Sequence, residues 1–177
     1  MSLKSKFAAL LASVVPAFAS AQATAPVAAV PANLNPGAGE SLAMIVPAKG
    51  VQIYECRPIK GGLGYEWAFV APEAELFDAN GKKIGRHYAG PSWEAADGSR
   101  IEGAVMQRAD AAAANAIPWL LLATKSVGAQ GAFSSVVSIQ RVNTEGGVAP
   151  KDGCSRDEVG KAARVGYTAD YYFFSRY

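Results

Sequence analysis

His87 is the only histidine in the chain, and it heads the run His87-Tyr88-Ala89-Gly90-Pro91-Ser92-Trp93-Glu94. The continuation, Ala95-Ala96-Asp97-Gly98-Ser99-Arg100-Ile101-Glu102-Gly103, adds a second carboxylate and a turn signal. An imidazole beside two carboxylates could hold a divalent cation or perform general acid/base chemistry. The turn decides whether the carboxylates meet. A three-residue loop Asp97-Gly98-Ser99 would pair Ala96 with Arg100 and set Glu94 directly opposite Glu102. That register sorts Trp93, Ala95, Ile101, Gly103 and Val105 onto one apolar face, which favours it over a two-residue loop. Opposed carboxylates repel unless a cation or shared proton intervenes, and Arg100 on the same face could compensate. The plain alternative is a solvated, Arg-neutralised face with a hydrogen-bonded structural histidine. A lone histidine excludes multi-histidine zinc or copper sites, so a divalent metal on His87, Glu94 and Glu102 is the one candidate cofactor.

Asp170 is the other carboxylate in an apolar setting. It interrupts the run Arg164–Phe174, where Val165, Tyr167, Ala169, Tyr171 and Phe173 share one face and Thr168, Asp170, Tyr172 and Phe174 the other. A carboxylate among aromatics needs a donor, and Arg141, the lone charge of its strand, is the natural partner. A structural ion pair is expected there, with Asp170 as a more remote candidate acid. Trp67, Trp93 and Trp119 could form a sugar-binding platform where exposed, and Trp93, Tyr88 and Trp67 are the candidate ligand-binding aromatics. Core packing is the competing role for each. The chain lacks a G-x-S-x-G elbow, a Walker loop and an H-E-x-x-H zinc motif.

The elements that must position these residues lie after an export-type start. Residues 1–23 read as a signal peptide: Lys4 and Lys6, an apolar run Phe7–Val15, then small residues offering A-x-A cleavage sites. The apolar run is too short to span a bilayer, and no transmembrane segment is expected later. Removing Lys4 and Lys6 from 17 basic residues leaves 15, which balance the 15 acidic ones. No basic face for nucleic acid follows. Cys56 and Cys154 are the only cysteines and, in an exported protein, are expected to form a disulfide. It would close a loop of about a hundred residues, worth on the order of 4 kcal/mol. Residues 24–40 form an Ala/Pro-rich lead, expected to be flexible, with strand addition to another subunit's sheet as the sharper alternative.

From residue 41 to 177 the pattern is β. Short runs rich in Val, Ile, Tyr, Phe and Trp are separated by Gly, Pro, Asn and Asp. Ten candidate strands result, at Leu42–Val46, Val51–Arg57, Tyr65–Val70, Ala74–Asp78, Lys83–Tyr88, Ser92–Ala96, Arg100–Met106, Trp119–Thr124, Ser134–Val142 and Arg164–Phe174. Asn80-Gly81 is a hairpin signal, and Met106–Ala116 is the only helix-compatible stretch. Trp119–Ala123 is continuously apolar, as in a strand covered on both faces. The expected fold is all-β: a single-domain antiparallel sandwich or barrel of about eight to ten strands with at most one short helix.

Several runs together, among them Val51–Cys56, His87–Trp93, Asp97-Gly98-Ser99, Ile117–Leu122, Ile139–Gly147 and Tyr167–Phe173, resemble an uncharacterised family of small secreted bacterial and fungal proteins. The resemblance spans about Leu42 to Phe174. Some fungal members carry a malate-dehydrogenase label, which this sequence does not support: it has no Rossmann fingerprint and no βα alternation. The resemblance carries no mechanism and no catalytic residues. Export, β-architecture and aromatic content point to an extracytoplasmic binding or structural module for a carbohydrate, cell-surface ligand or small molecule. A hydrolase or metal-dependent enzyme using His87, Glu94 and Glu102, and a self-associating envelope protein built through its lead, are the alternatives.

Overall fold

At one end of the fold inward-facing residues such as Val46, Leu76, Ile101, Ile139 and Phe173 are apolar, and their alternation with outward residues runs through strands that close into a barrel. The computed structural model describes residues 29–177; the signal-like segment 1–23 lies outside them. Eight antiparallel strands follow one another around a closed barrel: β1 (Glu40–Pro58), β2 (Tyr65–Phe77), β3 (Lys83–Tyr88), β4 (Ser92–Ala95), β5 (Arg100–Ala109), β6 (Trp119–Ser126), β7 (Val136–Gly146) and β8 (Ala162–Arg176). β8 pairs back onto β1, with Glu40 opposite Arg176.

The all-β expectation holds, with the strand count at its lower bound because two pairs of expected strands are continuous. Pro47 does not interrupt β1, because the β1–β2 ladder begins only at Ala48 and the proline meets one neighbour. Pro72 lies within β2 before its pairing with β3 begins at Ala74. Close packing lets the strands coil: a Cβ on Gly50 would lie 2.1 Å from the Glu73 carbonyl, and one on Gly85 2.3 Å from that of Glu94. The helix-compatible stretch forms no helix. β5 runs through Met106 to Ala109, and a turn follows in which Asn115 takes a positive φ.

The β2–β3 and β4–β5 hairpins share one geometry. Gly81 N–H donates to the Asp78 carbonyl and Asp78 N–H to that of Lys82; Gly98 and Ala95 repeat the pattern with Ala95 and Ser99. Gly81 and Gly98 take the left-handed conformation at the third loop position, φ 76° and 84°.

Interior packing is concentrated at one end. There Val46, Leu76, Ile101, Ile139 and Phe173 fill the barrel, and Phe133 on the β6–β7 loop closes it, edge-on to Phe173 at 5.0 Å. The turn at Asp97 secures this plug: Asp97 accepts from Ala132 N–H, and Ser99 Oγ accepts from Phe133 N–H. A second, smaller cluster lies outside the wall, where Leu34 packs on Trp119, Leu121 and Val142. Gln140 Nε2 donates to the Leu34 carbonyl and Asn33 Nδ2 to that of Arg108. The part of the Ala/Pro-rich lead around Val30–Leu34 therefore sits on this chain's own barrel, and β6 is covered on both faces as its apolar run predicts. Cys56 and Cys154 are bonded, joining the end of β1 to the β7–β8 loop across 98 residues.

Candidate functional site

The other end of the barrel is not filled. It holds a cavity of about 420 Å³, whose lining includes Gln52, Tyr54, His87, Trp93, Arg141 and Tyr171. Strand alternation places these side chains inside. Gln52 follows Val46 and Ala48 at two-residue steps, His87 follows Gly85, and Arg141 follows Ile139. Cross-strand register brings them level: His87 pairs with Trp93, and Arg141 lies between Leu120 and Tyr171. Gly103 makes room for the indole, since a Cβ there would stand 2.8 Å from the Trp93 ring.

Among the lining residues are two arginines and no carboxylate. Arg141 donates Nε and Nη2 to the Pro118 carbonyl at 3.1 and 2.7 Å. It enters none of the ion pairs among the described residues. Its charge acts on His87, Tyr54, Tyr167 and Tyr171. His87 stacks on Trp93 with centroids 4.3 Å apart. Burial holds its pKa down at about 3; the hydrogen bond to the Ser92 carbonyl opposes it, and the Arg141 charge adds the smallest influence, downward. The ring is thus neutral near pH 7. Its Nδ1, 2.8 Å from that carbonyl, carries the proton, which leaves Nε2 as an acceptor. Burial pushes the phenols of Tyr171 and Tyr167 up, so both stay protonated. Among the lining residues two buried donors have no partner, Gln52 Nε2, in a residue only 2% exposed, and Trp93 Nε1; a third, Trp119 Nε1, lies in the outer cluster.

The cavity reaches the outside through a notch in the wall. The β3–β4 hairpin is short: β2 pairs with β3 only from Ala74 onward, and β4 with β5 only as far as Glu102. Beyond the hairpin's turn, Phe69 and Val70 on β2 and Val105 and Arg108 on β5 border the cavity, and the apolar three are exposed.

The residues singled out by sequence do not assemble as one site. The hairpin loop is Ala96-Asp97-Gly98, one residue earlier than expected, because Gly98 must occupy the left-handed third position. Glu94 consequently lies opposite Arg100, and Glu102 opposite Ser92, so the opposed carboxylate pair does not form. Glu94 faces outward, bonded to Arg86 at 3.0 Å and to the Tyr88 hydroxyl at 2.6 Å. Those two bonds hold its carboxyl below its usual pKa. His87 faces inward, so the imidazole and the carboxylates occupy opposite sides of the wall. No group of three or more metal-ligating side chains occurs among the described residues. Asp170 is outward and accepts from Asn143 Nδ2, not from Arg141. Arg141 pairs with Tyr171 and Val142 with Asp170, which puts guanidinium and carboxylate on opposite faces. Of the aromatic candidates only Trp93 lines the cavity. Tyr88 faces outward under Arg86, and Trp67 donates Nε1 to the Asp152 carbonyl. Gln52, Tyr54 and Tyr171 were not singled out as site residues; the available signal was a charge, Arg141, at an inward step of an apolar strand.

No curated protein and no solved structure matches the chain. A family model does, over residues 36–175, almost the whole barrel, and the chain belongs to that family, DUF3455, described as proteins of unknown function.

Proposed function

We propose that this protein is an exported binding protein that holds one small organic molecule inside its barrel. The observation that carries the reading is a cavity of about 420 Å³ whose lining includes Gln52, a side chain with a buried, unpartnered Nε2 donor. Leaving such a group unsatisfied costs about 1–3 kcal/mol, and a ligand acceptor would remove the cost. An eight-stranded barrel is wide enough either to be filled by side chains or to hold one small ligand. This one is filled at the Phe133 end alone. The volume lies within the range of small-molecule sites.

Export rests on the signal-like start and the Cys56–Cys154 bond. No helix among the described residues is long and apolar enough to cross a membrane. The barrel's outward face carries ion pairs such as Glu73–Arg164 and Glu75–Lys83, the reverse of the apolar belt of a membrane barrel. A carbohydrate platform is less favoured, because the Trp93 face is covered by His87.

Native mass spectrometry of the protein recovered from the exported fraction tests the reading. The expected spectrum shows a one-to-one small-molecule adduct that Val105→Trp, which narrows the notch, removes. No adduct, together with no thermal stabilisation by a broad metabolite panel, would overturn it.

A further inference from the structure

The cavity's charge balance narrows the ligand class, on the premise that the cavity binds a ligand at all. We infer that the ligand is a small monocarboxylate with an apolar or aromatic body, its carboxylate seated against Arg141 and Gln52. The titratable lining groups other than the arginines are His87, Tyr54 and Tyr171, and none supplies a negative charge near neutral pH. Arg141 is thus an inward, half-buried permanent cation with no counter-ion, and Arg108 at the notch enters no ion pair among the described residues.

Free hydrogen-bonding capacity has the same sense. Gln52 Nε2 and Trp93 Nε1 are unpartnered donors, and the Tyr54 hydroxyl is already committed, donating to the Gly147 carbonyl at 2.6 Å. Against the free acceptor, His87 Nε2, stand these two donors and the Arg141 guanidinium, a balance that calls for an acceptor-rich anion. The Pro118 carbonyl fixes the guanidinium through Nε and Nη2, and apart from its interaction with the Tyr171 hydroxyl its remaining N–H groups are open to a planar acceptor. With Arg108 out at the notch, the single arginine anchored inside, with neutral amide and indole donors, matches a monoanion better than a phosphate dianion. Around this pole the lining is apolar: Ile117, Leu120 and Leu122 inside, Phe69 and Val105 at the notch. A carboxylate head and an apolar body fit that division.

Calorimetric titration of the mature protein with 3-phenylpropanoate and octanoate, beside 3-phenylpropanamide and phenyl phosphate, tests the assignment. The expected result is one-to-one binding of at least one acid, with the amide and the phosphate at least about tenfold weaker. Arg141→Met should reduce acid binding to the amide's level while leaving the amide unaffected, which also reports an intact fold; Arg141→Lys should recover part of the loss. Equal binding of acid and amide, preferential binding of the phosphate, or undiminished acid binding by Arg141→Met would overturn the carboxylate assignment and leave the cavity reading standing. No binding by any probe, while the native adduct persists, would also overturn it. Absence of both binding and adduct would sink the two together.

Discussion

At His87 the imidazole is stacked on Trp93 and its pKa is held at about 3, against an ordinary value near 6.5. Between those values the unfolded chain binds a proton that the folded barrel excludes. Stability is therefore retained above about pH 6.5 and lost as pH falls toward 3. Over that window the wild type should lose a few kcal/mol more than His87→Gln, measured by denaturant unfolding at several pH values. Parallel pH curves would contradict a buried neutral imidazole. Gln52 has the opposite character, since its unpartnered amide makes no contribution to the empty barrel. Gln52→Leu should leave the ligand-free protein as stable or about 1 kcal/mol more so, and should weaken whatever the cavity binds. A large loss of stability would show that the amide has a structural partner. Part of this was legible in sequence: Arg141 stood out as a lone charge in its strand, and alternation placed Asp170 on the face away from Tyr171. The Arg141–Asp170 pairing failed because composition gives each strand's faces but not the register between strands. A bulge between Val142 and Glu145 alters that register.

Among the elements, the Asp97 hairpin and the Phe133 loop act as one closure. Phe133 is buried against Phe173, and its loop is held by hydrogen bonds to Asp97 and Ser99. Phe133→Ala should cost about 3–5 kcal/mol in thermal or denaturant unfolding. A loss below about 1 kcal/mol would mean that the loop is not part of the packed end. The hairpin also explains why the acidic pair was misread. Sorting apolar residues by face admits more than one loop placement, because Trp93, Ala95 and Ile101 share a face in both registers. The conformation of Gly98 selects between them, and the matching role of Gly81 was the local clue. Strand boundaries were legible wherever a hairpin glycine marks them. They were lost at Pro47 and Pro72, where a one-sided ladder tolerates a residue that usually ends a strand.

For the whole molecule, closure is achieved three ways: the β1–β8 ladder, the Leu34 turn on the outer wall and the Cys56–Cys154 bond. Cys154→Ser with Cys56→Ser should lower stability by on the order of 4 kcal/mol, read as a drop in the denaturant midpoint of the oxidised protein. An unchanged midpoint would mean that the barrel alone fixes these segments. The all-β class and the cysteine pair were open to reading, because period-two patterning and cysteine count are local properties. The cavity was not, because it depends on which side chains face one another after eight strands close. The most direct test of a carboxylate-binding barrel is a ¹⁵N–¹H spectrum of the protein titrated in turn with 3-phenylpropanoate and octanoate. The account predicts saturable shifts of the Gln52 side-chain amide and the Trp93 indole N–H, with the outward-facing Glu94 and Asp170 amides unmoved. Shifts confined to the outer face, or none at the two cavity donors, would contradict it.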